Sequence, residues 1–177
     1  LFADIRGFTS YSESLTPEDL VSVLNRYLAA AADAVLAQEG TVDKFMGDAV
    51  MAWFNAPIPQ EDHTLRAVRA SLGIRDAIKS LHRELPKEAH LDFGVGIHFG
   101  EAVLGLVGTE KRLDYTAIGD SVNTAKRVQE NSASNQILIS DIAYQFVKKD
   151  IEVRPCESVH AKGKSEPIKV YEVIGLL

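Results

Sequence analysis

The first long pattern of apolar positions along the chain has the spacing of a helix. Apolar side chains recur every three or four residues, at Leu20, Leu24, Tyr27, Leu28, Ala31 and Val35. Thr16 can cap the start of this segment, Pro17 suits the first helical position, and acidic residues suit the first turn. Because Gly40 follows the last apolar position, the pattern predicts one long helix between Thr16 and Gly40.

Shorter apolar segments predict strands that are joined by tight turns. Residues Thr41 to Met46 and Ala49 to Phe54 form one such pair, with Gly47-Asp48 as the turn between them. Residues Asp92 to Phe99 and Ala102 to Val107 predict a second pair of strands around Gly100. Both pairs have the short connections that are typical of antiparallel hairpins.

The rest of the chain adds helices and two further strands. A helix is predicted from about Asp62 to Leu85, and the segment from Gly119 to Asn131 also has helical character. Ile137 to Ile139 and Ile168 to Val173 favour strands, with a capped helix that starts at Ser140 between them. Strands in hairpins, rather than in strict alternation with helices, predict an α+β fold in which helices pack on an antiparallel-rich sheet.

Composition and charge narrow the class of protein. The chain has 177 residues, of which 46% are hydrophobic and 25% charged, as is ordinary for one globular domain. A formal net charge of −6 disfavours nucleic acid as a partner. Cys156 is the only cysteine, so no intrachain disulfide can form and a reducing, cytoplasmic setting is expected.

No apolar run approaches the roughly 20 residues of a membrane span, and no signal peptide is visible. Because Leu1 already reads as part of a strand, we expect residues 1–177 to be a single domain excised from a longer protein.

Two carboxylates at predicted strand ends are candidate metal ligands. Asp4 follows an apolar strand and precedes a glycine turn, and Asp48 lies at the tip of the first hairpin. Carboxylate oxygens at neighbouring strand ends can share Mg²⁺ ions, which neutralise their mutual repulsion. Free N–H groups in the turn at Gly7 and Phe8 could hold phosphate oxygens. A surface aspartate that starts a turn is the ordinary explanation of each carboxylate taken alone.

A third cluster of polar residues is expected on one helix face. Asn123 and Arg127 are four residues apart in the predicted helix, so they share a face. An amide beside a guanidinium suits a phosphate or a developing oxyanion, although a solvated polar face would look the same. Lys162 and Lys164 add two more cations that could bind phosphate, in a pattern common in loops.

Three segments, in order, resemble the catalytic domain of class III nucleotidyl cyclases, the adenylyl and guanylyl cyclases. They are Phe-Ala-Asp-Ile-Arg-Gly-Phe-Thr from Phe2, Val-Asp-Lys-Phe-Met-Gly-Asp-Ala from Val42 and Tyr-Thr-Ala-Ile-Gly-Asp-Ser-Val-Asn-Thr-Ala-Lys-Arg from Tyr115. The resemblance covers essentially the whole chain. It implies the ferredoxin-like, polymerase-palm-related fold of that family.

The resemblance also implies which residues bind metal and phosphate. The metal ligands would be Asp4, Asp48 and the carbonyl of Ile5. The phosphate-holding turn would be Gly7, Phe8 and Thr9. Lys162 matches a lysine that binds the triphosphate, and Lys111 falls near a family arginine that touches phosphate.

Four further positions would read the base and act on the ribose. Lys44 matches the purine-reading lysine of adenylyl cyclases, where animal guanylyl cyclases carry Glu. Thr116 matches the second purine-reading position, where many adenylyl cyclases have Asp, animal guanylyl cyclases have Cys, and a largely bacterial subgroup has Thr or Ser. Asn123 and Arg127 match the pair that orients the ribose and stabilises the transition state.

The activity implied is that of a bacterial-type adenylate cyclase. ATP would be converted to cyclic AMP and pyrophosphate with two Mg²⁺ ions per site, Mn²⁺ being able to substitute, at sites shared across a homodimer. A guanylate cyclase and a catalytically silent nucleotide-binding or dimerisation module are the alternatives. A diguanylate cyclase relative is disfavoured because its Gly-Gly-acid-acid-Phe turn is replaced by Met46-Gly47-Asp48. The resemblance leaves open which regulatory domain the longer protein carries.

Overall fold

The computed structural model describes residues 1–13, 15–160 and 166–177. Its helices are α1 (Phe8–Ser12), α2 (Pro17–Ala37), α3 (His63–Leu81), α4 (Asp120–Glu130) and α5 (Asp141–Val147). Its strands are β1 (Phe2–Ile5), β2 (Thr41–Met46), β3 (Ala49–Trp53), β4 (Phe93–Ile97), β5 (Val103–Thr109), β6 (Arg112–Ile118), β7 (Ile137–Ser140), β8 (Ile151–Pro155) and β9 (Val170–Leu176).

Within the described residues the strands form one large sheet and one separate hairpin. The seven-stranded sheet has the order β2-β3-β1-β4-β7-β9-β8, and β5 pairs only with β6 in a two-stranded sheet. All pairs in the large sheet are antiparallel except β4 with β7, which is parallel. The predicted α+β class with an antiparallel-rich mixed sheet is therefore confirmed.

The two faces of the sheet carry different helices. On β4, Phe93, Val95 and Ile97 belong to the main core together with residues of α2 and α3. Successive strand residues point to opposite faces, so the intervening Gly94 and Gly96 face the other side, where α4 packs. On β1 the same alternation puts Ala3 in the main core and Asp4 on the α4 side, with the Lys126 ammonium 3.9 Å from its carboxylate.

Gly96 allows α4 to lie unusually close to the sheet. A Cβ at this position would stand 2.2 Å from the backbone nitrogen of Gln129, so only glycine fits without displacing the helix. Because α4 carries Asn123 and Arg127, the position of these candidate residues depends on this glycine. The sequence pattern alone gave no sign of this requirement.

Helix α2 starts and packs as the sequence predicts. Thr16 caps it by accepting from the Asp19 backbone N–H, and Pro17 is its first residue. Tyr27 is fully buried; its hydroxyl donates to the Ala89 carbonyl over 2.7 Å. By length and composition this helix, with a mean hydropathy of 1.4, is able to cross a membrane, contrary to the expectation that no apolar segment of the chain approaches that length. One face of the helix packs against α3, β2 and β3, and 22% of its apolar window is buried.

One predicted strand pairing is wrong. Strand β4 does not form a hairpin with β5 around Gly100, because both of its edges are already occupied by β1 and β7. Strand β5 instead pairs with β6, a strand that the sequence analysis did not identify, across a turn at residues 110–111. Strand β8 and the short helix α1 were not predicted either. The predicted helix from Asp62 is shorter at its end than expected, since it closes at Leu81.

Candidate active site

Asp4 and Asp48 lie together at the ends of paired strands. Asp4 pairs with Ala49 across the β1–β3 ladder, and the Ile5 backbone N–H donates to the Asp48 carbonyl over 3.2 Å. Burial and then the negative charge of Asp48 raise the pKa of the Asp4 carboxyl above its usual value, against the opposing effects of nearby cations. The fold thus brings the two predicted metal-ligating side chains into electrostatic contact.

Two cations near Asp4 were missed by the sequence analysis. Arg6 Nη1 lies 3.6 Å from one carboxylate oxygen of Asp4, and Lys126 Nζ lies 3.9 Å from the other. The Arg6 guanidinium also donates to the Gln129 carbonyl and to the Ser132 hydroxyl, so it ties β1 to the end of α4. Both cations lie inside the quoted motifs, but their spacing does not reveal that they converge on a carboxylate.

The chemistry of these oxygens fits a divalent cation. Two carboxylates side by side, one with a raised pKa, gain from a positive charge between them. Among the described residues no group of three or more His, Cys, Asp or Glu side chains forms a cage for a metal ion. Mg²⁺ is commonly held by one or two carboxylates, with water and substrate phosphates as the other ligands. Asp4, Asp48 and the Ile5 carbonyl therefore suit Mg²⁺ that is bound together with a nucleotide.

The predicted phosphate-holding turn leads into α1. Gly7 has a positive φ of 76° at the start of this helix, a conformation that favours glycine. Phe8 begins the helix and packs partly against the main core, while Thr9 is exposed. The first N–H groups of a helix have no acceptor within the helix, and no side chain caps them here.

Lys44 and Thr116 converge on a buried carboxylate that the sequence analysis did not consider. The Thr116 hydroxyl donates to Asp43 Oδ2 over 2.6 Å, and Lys44 Nζ lies 3.9 Å from the same oxygen. The Asp43 side chain is only 1% exposed. Its other oxygen, Oδ1, is buried and has no hydrogen-bond partner among the described residues. The two predicted purine-reading positions are thus brought together by β2 and β6.

Asn123 and Arg127 lie on an exposed face of α4, one turn apart. Arg127 donates to Glu130 on the same helix over 3.1 Å. Within the described part of the chain, no hydrogen bond or ion pair links either residue to Asp4 or Asp48. The helix instead directs Lys126 towards Asp4, while Asn123 and Arg127 remain available to another molecule.

Of the two remaining predicted cations, Lys111 has no ion pair with Asp4 or Asp48 among the described residues. Lys111 lies in the turn between β5 and β6 and is exposed. Lys162 lies outside the described residues. The hairpin that carries Lys111 also exposes several large apolar side chains, namely Val103, Leu106, Val107, Leu113, Tyr115 and Ile118.

Comparisons with known proteins show which family the chain belongs to. The family model described as the adenylate and guanylate cyclase catalytic domain matches residues 1–175. Adenylate cyclase 1 of Rhizobium meliloti is 34% identical over all of this chain, which spans 27% of that protein's length. The solved structure of the adenylyl cyclase CyaB from P. aeruginosa is 37% identical with a TM-score of 0.92, over 98% of this chain and 91% of that one. The structure of the guanylyl cyclase Cya2 is 35% identical with a TM-score of 0.92, over 99% and 90%. The chain belongs to the adenylate and guanylate cyclase catalytic domain family.

Proposed function

We propose that the chain is the catalytic domain of an adenylate cyclase, which converts ATP to cyclic AMP and pyrophosphate. The ribose 3′-oxygen attacks the α-phosphorus, the bond from that phosphorus to the pyrophosphate oxygen breaks, and the 3′-hydroxyl proton passes to solvent. The observation that carries this proposal is the placement of Asp4 and Asp48 at adjacent strand ends, where the negative charge of Asp48 acts on the Asp4 carboxyl. The similarity to a named adenylate cyclase over the whole chain supports it.

Asp4, Asp48 and the Ile5 carbonyl would hold Mg²⁺, as two ions per site in the family, with Mn²⁺ able to substitute. When bound, Mg²⁺ would lower the pKa of the ribose 3′-hydroxyl and neutralise the charge of the triphosphate. The turn from Gly7 to Thr9 would contact phosphate oxygens through backbone N–H groups.

Side chains outside the metal site would position the rest of the nucleotide. Lys44 would donate to a ring nitrogen of adenine, and Thr116 would face its exocyclic amine. Asn123 would orient the ribose, and Arg127 would stabilise the charge that develops on the α-phosphate. Lys162 and Lys111 would bind the triphosphate.

We further propose that each active site is shared between two copies of the chain. Asn123 and Arg127 are exposed on a face of α4 and make no described contact with Asp4 or Asp48 of their own chain. The β5–β6 hairpin presents six exposed large apolar residues, and a patch of this kind commonly marks an interface with another protein. A homodimer with two-fold symmetry would bury such patches and complete two equivalent sites.

A guanylate cyclase is the second candidate, because Cya2, named a guanylyl cyclase, is 35% identical to this chain. Lys44 favours ATP, since animal guanylyl cyclases carry Glu at the matching position. We place the domain in the cytoplasm, where ATP is abundant, and we expect a regulatory domain elsewhere in the full-length protein.

A turnover assay with the purified chain tests the proposal. ATP and GTP are supplied separately with Mg²⁺ or Mn²⁺, and cyclic nucleotides are separated by chromatography. Cyclic AMP as the main product supports the proposal, and cyclic GMP as the main product supports the second candidate. No cyclic product from either nucleotide, at chain concentrations that give a dimer, would identify a silent nucleotide-binding module.

A further inference from the structure

We propose that Asp43 sets the purine preference of the site by fixing the direction of the Thr116 hydroxyl. Asp43 would not touch the substrate; it is a positioning residue that acts through Thr116. The inference takes the identity of the ligand, a purine nucleotide, from the proposed function.

The hydrogen bond between these two residues has only one possible direction when Asp43 is ionised. A carboxylate accepts hydrogen bonds and has no proton to give, whereas a threonine hydroxyl carries one proton and two lone pairs. The 2.6 Å contact between Thr116 Oγ1 and Asp43 Oδ2 therefore uses the hydroxyl proton. The ammonium of Lys44 lies 3.9 Å from the same carboxylate oxygen, on the side chain of the next residue along β2. Towards any other ligand, Thr116 can act only as an acceptor.

A Thr116 hydroxyl that can only accept a hydrogen bond fits adenine and does not fit guanine. The exocyclic group of adenine is an amine, which donates, and that of guanine is a carbonyl, which accepts. An acceptor at Thr116 beside a donor at Lys44 therefore suits the edge of adenine. A threonine whose hydroxyl could turn freely would accept from one base and donate to the other. Because Asp43 takes up the hydroxyl proton, Thr116 presents only an acceptor to the base. An aspartate at the Thr116 position would present only an acceptor as well, without the help of a second residue.

The strand geometry explains why the charged groups of the consecutive residues Asp43 and Lys44 can lie within 3.9 Å of each other. Consecutive residues in a regular strand point to opposite faces. The pairing of β2 with β3 shifts between Val42 and Lys44, where Val42 pairs with Ala52 and Lys44 with Met51. Asp43 is thus the extra residue of a β-bulge, and bulges redirect side chains in this way.

A purely structural role leaves the properties of Asp43 unexplained. A buried charge is costly unless it is fully hydrogen-bonded. The Asp43 side chain is 1% exposed, yet its Oδ1 has no hydrogen-bond partner among the described residues. An asparagine or a serine could serve the fold with less desolvation. The carboxylate differs from these in being unable to donate to Thr116.

Nucleotide binding by the dimeric chain tests the inference separately from catalysis. The probes are the α,β-methylene analogues of ATP and GTP, which cannot lose pyrophosphate, and their dissociation constants are measured by calorimetry with Mg²⁺ present. The variants are Asp43→Asn, Asp43→Leu, Thr116→Val and each Asp43 change combined with Thr116→Val. Asp76→Asn, which removes an exposed carboxylate from α3, is the matched control.

We expect the wild-type chain and Asp76→Asn to bind the ATP analogue about tenfold more tightly than the GTP analogue. Thr116→Val and Asp43→Leu should each abolish most of that preference, and Asp43→Asn should reduce it, since its amide can donate to Thr116. Each double variant should keep the same preference for the ATP analogue as Thr116→Val alone, because Asp43 has no hydroxyl left to orient. Thermal melts should show that the variants fold.

Three results would overturn the inference. One is a wild-type chain with no preference for the ATP analogue. Another is an unchanged preference in both Asp43 single variants. The third is an Asp43 substitution that lowers the preference for the ATP analogue equally in the wild-type chain and in Thr116→Val. Asp43 would then affect the preference without acting through the Thr116 hydroxyl. If ATP is cyclised but the Asp43 variants keep their preference, only this inference fails. If no cyclic product forms but the binding preference depends on Asp43, only the proposed function fails.

Discussion

Asp4 and Asp48 lie at the same end of two paired strands, close enough for the charge of Asp48 to raise the pKa of Asp4. The hydrogen bond from the Ile5 N–H to the Asp48 carbonyl, 3.2 Å long, fixes this arrangement. Arg6 and Lys126 compensate part of the negative charge, since each lies within 4.0 Å of Asp4. The repulsion between these two carboxylates lowers the stability of the folded chain, and a bound divalent cation would neutralise it.

The first prediction concerns metal-dependent turnover. Replacing Asp48 with Ala should lower kcat with Mg²⁺ at least about a hundredfold, because one carboxylate ligand and its charge are lost. The fold should persist, since Asp48 is only partly buried in a turn. Steady-state assays with ATP, together with circular dichroism, provide the measurement. Near-wild-type kcat in the folded variant would show that the metal site is wrongly assigned.

The second prediction concerns stability without metal. A carboxyl with a raised pKa binds its proton more tightly in the folded chain than in the unfolded chain. In the pH range between the usual pKa and the raised pKa of Asp4, the folded state therefore holds more protons, and the free energy of unfolding falls as pH rises. Asp4→Asn should remove this slope and raise Tm at neutral pH by about 1–3 °C.

Thermal melts in a chelating buffer between pH 3.5 and 7.5 would measure this effect. The control is Asp33→Asn, which removes an exposed carboxylate from α2 and should leave the slope unchanged. A lower Tm for Asp4→Asn at neutral pH would mean that the ion pairs with Arg6 and Lys126 outweigh burial and repulsion.

Much of this fold could be predicted because it depends on local pattern. The α2 helix, the β2–β3 hairpin and α4 follow from periodicity, capping and turn residues. The partner of β4 could not be predicted in this way, because β1 and β7 compete with β5 for its edges and only the assembled sheet decides.

The site, like the fold, has residues that local sequence patterns predict and residues that they do not. The proximity of Asp4 and Asp48 follows from two strand ends that the motifs already mark. Asp43 was missed because a one-residue bulge turns its side chain towards Thr116, 73 positions further along the chain. No spacing rule reports such a contact.

The third prediction concerns base choice. The wild-type chain should favour ATP over GTP by roughly ten- to a hundredfold in kcat/KM, since a buried polar group left without a partner costs about 1–3 kcal/mol. Lys44→Glu combined with Thr116→Cys should shift the preference towards GTP, because Glu accepts from the protonated ring nitrogen of guanine. Competition assays with both nucleotides measure the ratio, and equal efficiency in the wild-type chain would contradict the assignment.

The fourth prediction concerns the close approach of α4 to β4. Gly96→Ala places a Cβ 2.2 Å from the Gln129 backbone nitrogen, so α4 must move or the strand must yield. We expect a loss of about 1–3 kcal/mol in the free energy of unfolding, together with lower kcat as Asn123 and Arg127 shift. Gly175→Ala on β9 is the matched control, because a Cβ there meets no atom within 4 Å. Urea titration measures the free energy of unfolding, and turnover assays measure kcat. A Gly96→Ala variant with wild-type values of both would show that the close approach of α4 is not needed.

The last prediction concerns the sharing of the active site between two chains. In the proposed dimer, Asp4 and Asp48 of one chain would face Lys44, Thr116, Asn123, Arg127 and Lys162 of the other. Specific activity should therefore fall on dilution, as dimers separate into inactive monomers. Asp48→Ala and Arg127→Ala should each be nearly inactive, since every site in either homodimer lacks one of the two groups.

Mixing these two variants distinguishes a shared site from a site within one chain. With random pairing about half of the dimers are heterodimers, and each heterodimer has one intact site and one site that lacks both groups. The mixture should therefore recover about a quarter of wild-type activity if the two sites act independently. A site built from a single chain would recover none, because every chain carries one damaged residue. Differently tagged variants, co-purified to confirm that heterodimers form, make a failure to recover activity decisive against the shared site.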